Sequence, residues 1–435
     1  MPETLARAGF TTEAFEAFLA ARREPEWLVD LRRQSWRKFE ELPVPSRNEE
    51  EWRRTDVRML RLDRFAFPLD SAASEPSAEP LLSQGVELGG RTVAHGSAIV
   101  RQELNAADSS RGVYFGSLEA AAHTHGDLIR RHLLTRAVNP GADKFAALHG
   151  AAWSGGTLLY VPRGVVIEQP LHIFSALVDA GVDFGHTLVI LEDDSEVTLL
   201  AEQAGGAESG LHCGAIEIFV GSGARLRYVN LQNWGPGVWH FAHQKAILAR
   251  DASMQWTIGA LGSRLAKVNQ HVALAGEGAS AQVNGVMFTE GKQHLSYHTL
   301  QHHEAPGCHS DLLYKGGLQD ASRVVWRGMI KVDPNAQKTD AYQRNDNLML
   351  SEESRADSIP GLEIQADDVR CTHGATAGRV DDDQIFYLRA RGLTRNEAIR
   401  AIVAGFFQQV FDRITIESVR EALGQAIGRR IRHYN

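Results

Sequence analysis

Cysteine is scarce in this chain of 435 residues: Cys213, Cys308 and Cys371 are widely spaced and form no CxxC pair. That excludes a disulfide framework and a structural zinc ribbon. Three thiols also cannot complete an all-cysteine iron–sulfur site, which takes four. No excess of positive charge exists either, since 46 basic residues face 54 acidic ones for a net −8. A surface that must neutralise many phosphates is therefore not expected, and no nucleic-acid partner is predicted. No apolar run approaches the roughly 20 residues that span a bilayer. The opening MPETLARAGF lacks the charged-then-apolar design of a signal peptide, so a cytoplasmic location without membrane contact is expected. Several catalytic motifs are missing as well. There is no GxxxxGK[ST], GxSxG or HExxH, and no dinucleotide fingerprint after a strand; the GK pair within Gly285 to Lys292 has the wrong glycine spacing.

What is present divides into three parts. Residues 1–155 read as helix-rich: Glu13, Phe15, Phe18 and Leu19, then Trp27, Leu31, Trp36 and Phe39, recur at three- and four-residue steps until Leu42-Pro43-Val44-Pro45 enforces extended backbone. Asp70 to Pro80, rich in Ser, Ala, Glu and Pro, reads as a loop. Residues 117–150 return to helical character. Over 156–380 short β-branched and aromatic runs such as TLLYV, HTLVIL, RLRYVNL and RVVWRGMIKV alternate with glycine and acidic turns. A small element recurs there, a turn followed by Ser or Ala and then a strand, anchored at Ser195, Ala224, Ala252, Ala279, Ala321 and Ala336. Its steps are 29, 28, 27, 42 and 15 residues, with 42 equal to 27 plus 15. A near-constant step predicts a β-solenoid with an extra coil or loop inside the 42-residue step, against the alternative of a meandering antiparallel sheet. Over 381–435 helices resume, opened by the capping box Thr394-Arg395-Asn396-Glu397. Behind it Ala398, Ile399, Ile402, Val403, Phe406, Phe407, Val410 and Phe411 form an apolar stripe. The stripe either packs on its own domain or docks a partner.

Two polar constellations could carry chemistry. The first is His294, His298, His302, His303, Cys308 and His309. A helix would align His294, His298 and His302 as metal ligands, whereas strand alternation is expected to scatter the side chains over both faces, which favours satisfied or solvent-facing histidines. The second is Cys371-Thr372-His373-Gly374-Ala375-Thr376. Thiol and imidazole two residues apart on a strand share a face and suit a soft metal or an iron–sulfur cluster. A buried cysteine beside a structural histidine leaves the same trace, so both readings stay open.

At these residues the sequence resembles a family. The segment from Arg344 to Phe407, which includes RADSIPGLEIQADDVRCTHGATAGRVDDDQIFYL, is similar to the C-terminal signature of the SufB/SufD iron–sulfur assembly family. EPEWLVDLRRQSWRKFEELPVPSRNEEEWRRTD resembles the N-terminal region of its SufD branch, so the likeness covers nearly the whole chain. It implies a right-handed parallel β-helix flanked by helical regions. It also implies a scaffold subunit without ATPase activity of its own, pairing with SufB and with the ATPase SufC for cluster assembly. SufC would dock on the C-terminal helices from Leu393 onward, for which Phe406, Phe407 and Val410 are the candidate contacts. The resemblance further implies that His373, and after it Cys371, binds a transient cluster shared with SufB. Ser354 stands where SufB-like chains carry a cysteine, which points to the SufD branch. A reduced flavin on the complex and a homodimer of the isolated chain are compatible with it. A carbohydrate-active β-helix enzyme and an accessory protein of an ABC-type transporter are the rival expectations.

Overall fold

A computed structural model describes residues 9–68, 74–205 and 208–431. It is a two-sheet parallel solenoid of about eight turns, with helices against the outer faces of both sheets. The chain enters through helices α1 (Thr12–Ala20) and α2 (Glu26–Glu41) and strands β1 (Gly90–His95), β2 (Ala98–Leu104) and β3 (Tyr114–Ser117). Three longer helical pieces follow the short α3 (Ala106–Ser110): α4 (Leu118–Thr124), α5 (Gly126–His132) and α6 (Lys144–Ala152). The strands then run β4 (Thr157–Val161), β5 (Leu171–Leu177), β6 (Val182–Asp183), β7 (His186–Leu191), β8 (Glu196–Gly205), β9 (Gly210–Val220), β10 (Arg225–Trp234) and β11 (Val238–Leu248). They continue as β12 (Ser253–Ala260), β13 (Leu265–Leu274), β14 (Ser280–Thr289), β15 (His294–His303), β16 (His309–Leu318), β17 (Arg323–Val332), β18 (Thr339–Met349), β19 (Arg355–Ile364) and β20 (Val369–Arg379). Helices α7 (Asp382–Ala390), α8 (Arg395–Phe411) and α9 (Glu417–Arg430) close the described chain.

From β8 on, consecutive strands alternate between the sheets, so each strand pairs in parallel with the strand two positions later. The sequence anchors mark one corner of these coils. Ser195, Ala224, Ala252 and Ala279 are buried there in register. The residue before each of them, Asp194, Gly223, Asp251 and Gly278, has a left-handed φ of 55–72°. Its amide donates to a carbonyl of the next coil, as Asp194 does to Ser222 and Gly223 to Arg250. Asp, Asn and Gly tolerate this conformation best, which explains the acidic or glycine turn in the repeat.

The expected extra coil does not exist. The next corner residue after Ala279 is Cys308, preceded by Gly307 at φ 67°, and then Thr339 after Lys338 at φ 59°. The ladder therefore continues at 29 and 31 residues, with a cysteine and a threonine in the small-residue position. Ala321 is an exposed residue of the opposite corner, and Ala336 belongs to the turn before Thr339. The 42-residue step arose from mixing the two corners, and His294–His309 lies in a regular coil.

The lumen is filled by inward residues including Tyr228, Trp256, Tyr297, Tyr314 and Trp326, all fully buried. Outside it, Phe15, Phe18, Trp36 and Phe145 of α1, α2 and α6 pack against Leu211 and Phe241 of the second sheet and Phe184 between β6 and β7. Helix α8 lies on the first sheet, where Val403, Phe407 and Val410 meet Val286, Phe288 and Leu313. Its capping box is formed in both directions between Thr394 and Glu397. Of the loop expected at 70–80, residues 74–80 carry no helix or strand, and 69–73 lie outside the described residues. No helix among the described residues is long and apolar enough to cross a membrane.

Candidate functional site

The two ends of the solenoid differ. At the N-terminal end, β2 and β3 reverse direction and pair antiparallel with β1 and β4, and the turns of the first coils are covered by helices. At the other end, β20 pairs only with β18 and β19 only with β17 among the described strands. Both sheets therefore finish in strands of 10 and 11 residues whose outer backbone edges are unpaired. Long free edges are templates for another chain. Leu362 and Ile364 on β19 remain 38% and 41% exposed, an apolar lip beside the edge.

Cys371 and His373 lie on β20, in register with Ala341 and Gln343 of β18. Those two partners are buried inward residues, so alternation turns the thiol and the imidazole toward the inner side of the last coil. His373 is exposed and has no hydrogen-bond partner among the described residues. Cys371 is half-buried beside Val369, next to Ile330, Val332 and Ala341. Burial, and then the nearby Asp340 carboxylate, push its thiol pKa up, so it is protonated in the isolated chain. Ser354 is buried in the turn leading to β19, where its hydroxyl donates to the carbonyl oxygen of Ser351 at 2.7 Å. The other two thiols are packing groups. Cys213 lies under the N-terminal helices and Cys308 fills a solenoid corner, each 1% exposed, and burial raises both pKa values.

The histidine run forms strand β15 rather than a helix. Alternation turns His303 inward to the Ser310 hydroxyl, as expected of a strand, while His294, His298 and His302 share the outer face because a four-residue spacing is even and strand period is two. Each step nevertheless separates them by about 13 Å, too far to share an ion. No group of three metal-ligating side chains occurs among the described residues. His302 instead bridges Glu304 and Asp333, at 3.1 and 3.0 Å. Hydrogen bonding to Glu304, followed by Asp333, raises its pKa. The folded state thus binds this proton more tightly, so the stabilisation is complete below pH 6.5 and is lost as pH rises through the folded value. His302→Gln is expected to cost about 1 kcal/mol or less at pH 6, with the difference shrinking at higher pH. Urea midpoints of both proteins across pH 6–9 check this.

The C-terminal stripe is internal. Phe407 and Val410 are fully buried against the chain's own first sheet, and Phe406 is partly covered with the Lys315 ammonium 4.6 Å from its ring centre. Phe407 and Val410 are therefore corrected from docking contacts to core residues. Among the described residues the exposed aromatics are Phe386 and Tyr387 on α7, at 74% and 57%, and Phe386 lines a surface hollow with Arg389, Leu393 and Arg395. Sequence reasoning passed over them because α7 has no apolar stripe; Ile385 alone is buried, with Leu388 partly covered beside the same cluster. It also missed a buried polar chain in which His149 lies 3.0 Å from His186 and His186 lies 3.1 Å from Glu217. Glu217 in turn accepts from the amides of Leu134 and Val138. These residues are scattered over the sequence and leave no local pattern.

Residues 174–406 match the family model described as SUF system FeS cluster assembly, SufBD core domain, and residues 14–173 match the SufBD protein N-terminal region. The chain is 27% identical over 427 residues to the iron–sulfur cluster assembly protein SufB of Bacillus subtilis, covering 94% of this chain and 90% of that protein. An iron–sulfur cluster assembly SufBD family protein of Staphylococcus saprophyticus is 26% identical over 428 residues, with the same two coverages. One of Staphylococcus aureus (strain MRSA252) is 27% identical over 433 residues, again covering 94% and 90%.

Proposed function

The chain belongs to the SufBD family of iron–sulfur cluster assembly proteins, and from that premise we propose that it is a SufD-type scaffold subunit that pairs with SufB through the open end of its solenoid. The observation that carries this reading is the pair of unpaired edges, β19 and β20, on the same terminal coil as His373. A second solenoid ending the same way would complete both ladders and cover Leu362 and Ile364. A cluster is cargo at such a joint. The exposed imidazole of His373 supplies one ligand, Cys371 a second once metal displaces its proton, and the partner supplies the rest. Ser354 supports the SufD assignment, because a hydroxyl there cannot accept sulfur as a thiolate does. The ATPase SufC would meet the C-terminal helical region through Phe386, Tyr387 and the turn to α8, where exposed apolar surface is concentrated.

Co-expression with SufB and SufC tests the reading. Leu362→Asp with Ile364→Asp is expected to abolish recovery of SufB while SufC still co-purifies, and Phe386→Asp to do the reverse. Wild-type recovery of SufB with the double variant would overturn the pairing surface.

A further inference from the structure

Residues 74–89, which lead into β1, carry no helix or strand and lie against the outer face of the first sheet. Leu82 is fully buried there, in the cluster that Leu231 of β10 shares with Leu423, Ala426 and Ile427 of α9. The polar anchoring comes from one side chain. Glu202 of β8 accepts from the amide of Leu81, at 2.7 and 2.9 Å, and from that of Leu82 at 2.9 Å. Among the described residues no other hydrogen bond ties residues 78–86 to the solenoid.

This carboxyl is 1% exposed and has no cation within 4 Å among the described residues. Strand register gives the reason. Glu202 stands in one outer row with Val93 and Phe174, with Leu231 of β10 on its other side, whereas Arg91 stands in the neighbouring row with His172 and Leu200. His172 brings no charge: it is fully buried with both ring nitrogens unpartnered, and burial, followed by Arg91, lowers its pKa to about 3. Glu79 and Glu87 of the covering segment lie in solvent. An ionised Glu202 is therefore held by two amides and a distant guanidinium, and taking a carboxylate out of water on those terms is costly. Burial accordingly raises its pKa to about 7, against the lowering effects of the Leu82 and Leu81 amides and then of Arg91.

We propose that Glu202 is a proton-operated latch, which holds residues 81–82 on the first sheet while protonated and releases them on ionising, so that water reaches the carboxylate. The folded chain binds this proton more tightly than the unfolded one. Its stabilisation is thus complete below about pH 4.5 and is lost as pH rises through about 7. Release also withdraws Leu82 from the cluster it shares with α9, so the latch bears on how the C-terminal helical region is seated. This inference is independent of the scaffold reading, since none of these residues belongs to the terminal coil or to α7.

The test is amide hydrogen exchange of the full chain at pH 6 and pH 8.5, read on peptides covering residues 78–86 and corrected for the intrinsic rate at each pH. In the wild type their protection is expected to fall about tenfold or more at the higher pH, while peptides of β14 keep theirs. Glu202→Gln retains an acceptor oxygen and cannot ionise, so it is expected to stay protected at both pH values. Glu202→Leu retains neither and is expected to exchange fast at both. Protection of residues 78–86 that is the same at pH 6 and 8.5 in the wild type would overturn the latch, and that reading needs no variant to fold. So would a fall in Glu202→Gln equal to that of the wild type, or full protection in Glu202→Leu.

Discussion

Phe407→Ala is expected to destabilise the chain by about 3–5 kcal/mol, the range for deleting a buried aromatic ring without full collapse of the cavity. The ring is fully buried, at 5.1 Å from the Phe406 ring centre and 6.0 Å from that of Phe411. It also seats against β16 at a position where no side chain fits: a Cβ on Gly317 would come within 3.3 Å of the Phe407 ring and 2.8 Å of Phe288. Glycine there lets helix and sheet approach, and the rigid backbone beneath cannot follow a shrinking side chain. Phe386→Ala, on the exposed face of α7, is expected to change stability by no more than about 0.5 kcal/mol. Denaturant unfolding followed by tryptophan fluorescence separates the two. Similar midpoints for both variants would mean that α8 does not hold the first sheet as described.

The second large effect is functional. His373→Ala is expected to lower the yield of cluster on the reconstituted complex about tenfold or more, since even outer-shell changes cost metal sites 10- to 100-fold. The melting temperature of the free chain should not move, because the side chain is exposed and makes no hydrogen bond among the described residues. His373→Cys should restore a cluster with an altered absorption spectrum and a lower potential, as thiolate replaces imidazole. Unchanged yield and spectrum in His373→Ala would remove the residue from the ligand set.

Much of the fold was legible because the solenoid writes the same local demand at each corner. A left-handed residue followed by a small buried one recurs as Asp194-Ser195, Gly223-Ala224 and Asp251-Ala252, and any reader of turns can find it. It faded where Cys308 and Thr339 took the small position, because their fitness depends on the space inside the corner and not on local propensity. The capping box at Thr394 was legible for the same local reason. Burial of Phe407 was not, since an apolar stripe looks alike whether its cover is the same chain or another. Of the candidate site, the motif around His373 was visible in sequence. The open edge beside it was not, because an edge is defined by the strand that fails to follow. The histidines of β15 show the reverse case, in which a conspicuous sequence cluster is spread along one strand by its own geometry.

Amide hydrogen exchange of the chain alone and in complex with SufB measures the central claim most directly. The account predicts that the amides of residues 355–364 and 369–379 exchange rapidly along their free edges in the isolated chain and become protected on complex formation. Protection confined to other surfaces, with β19 and β20 exchanging as before, would contradict it.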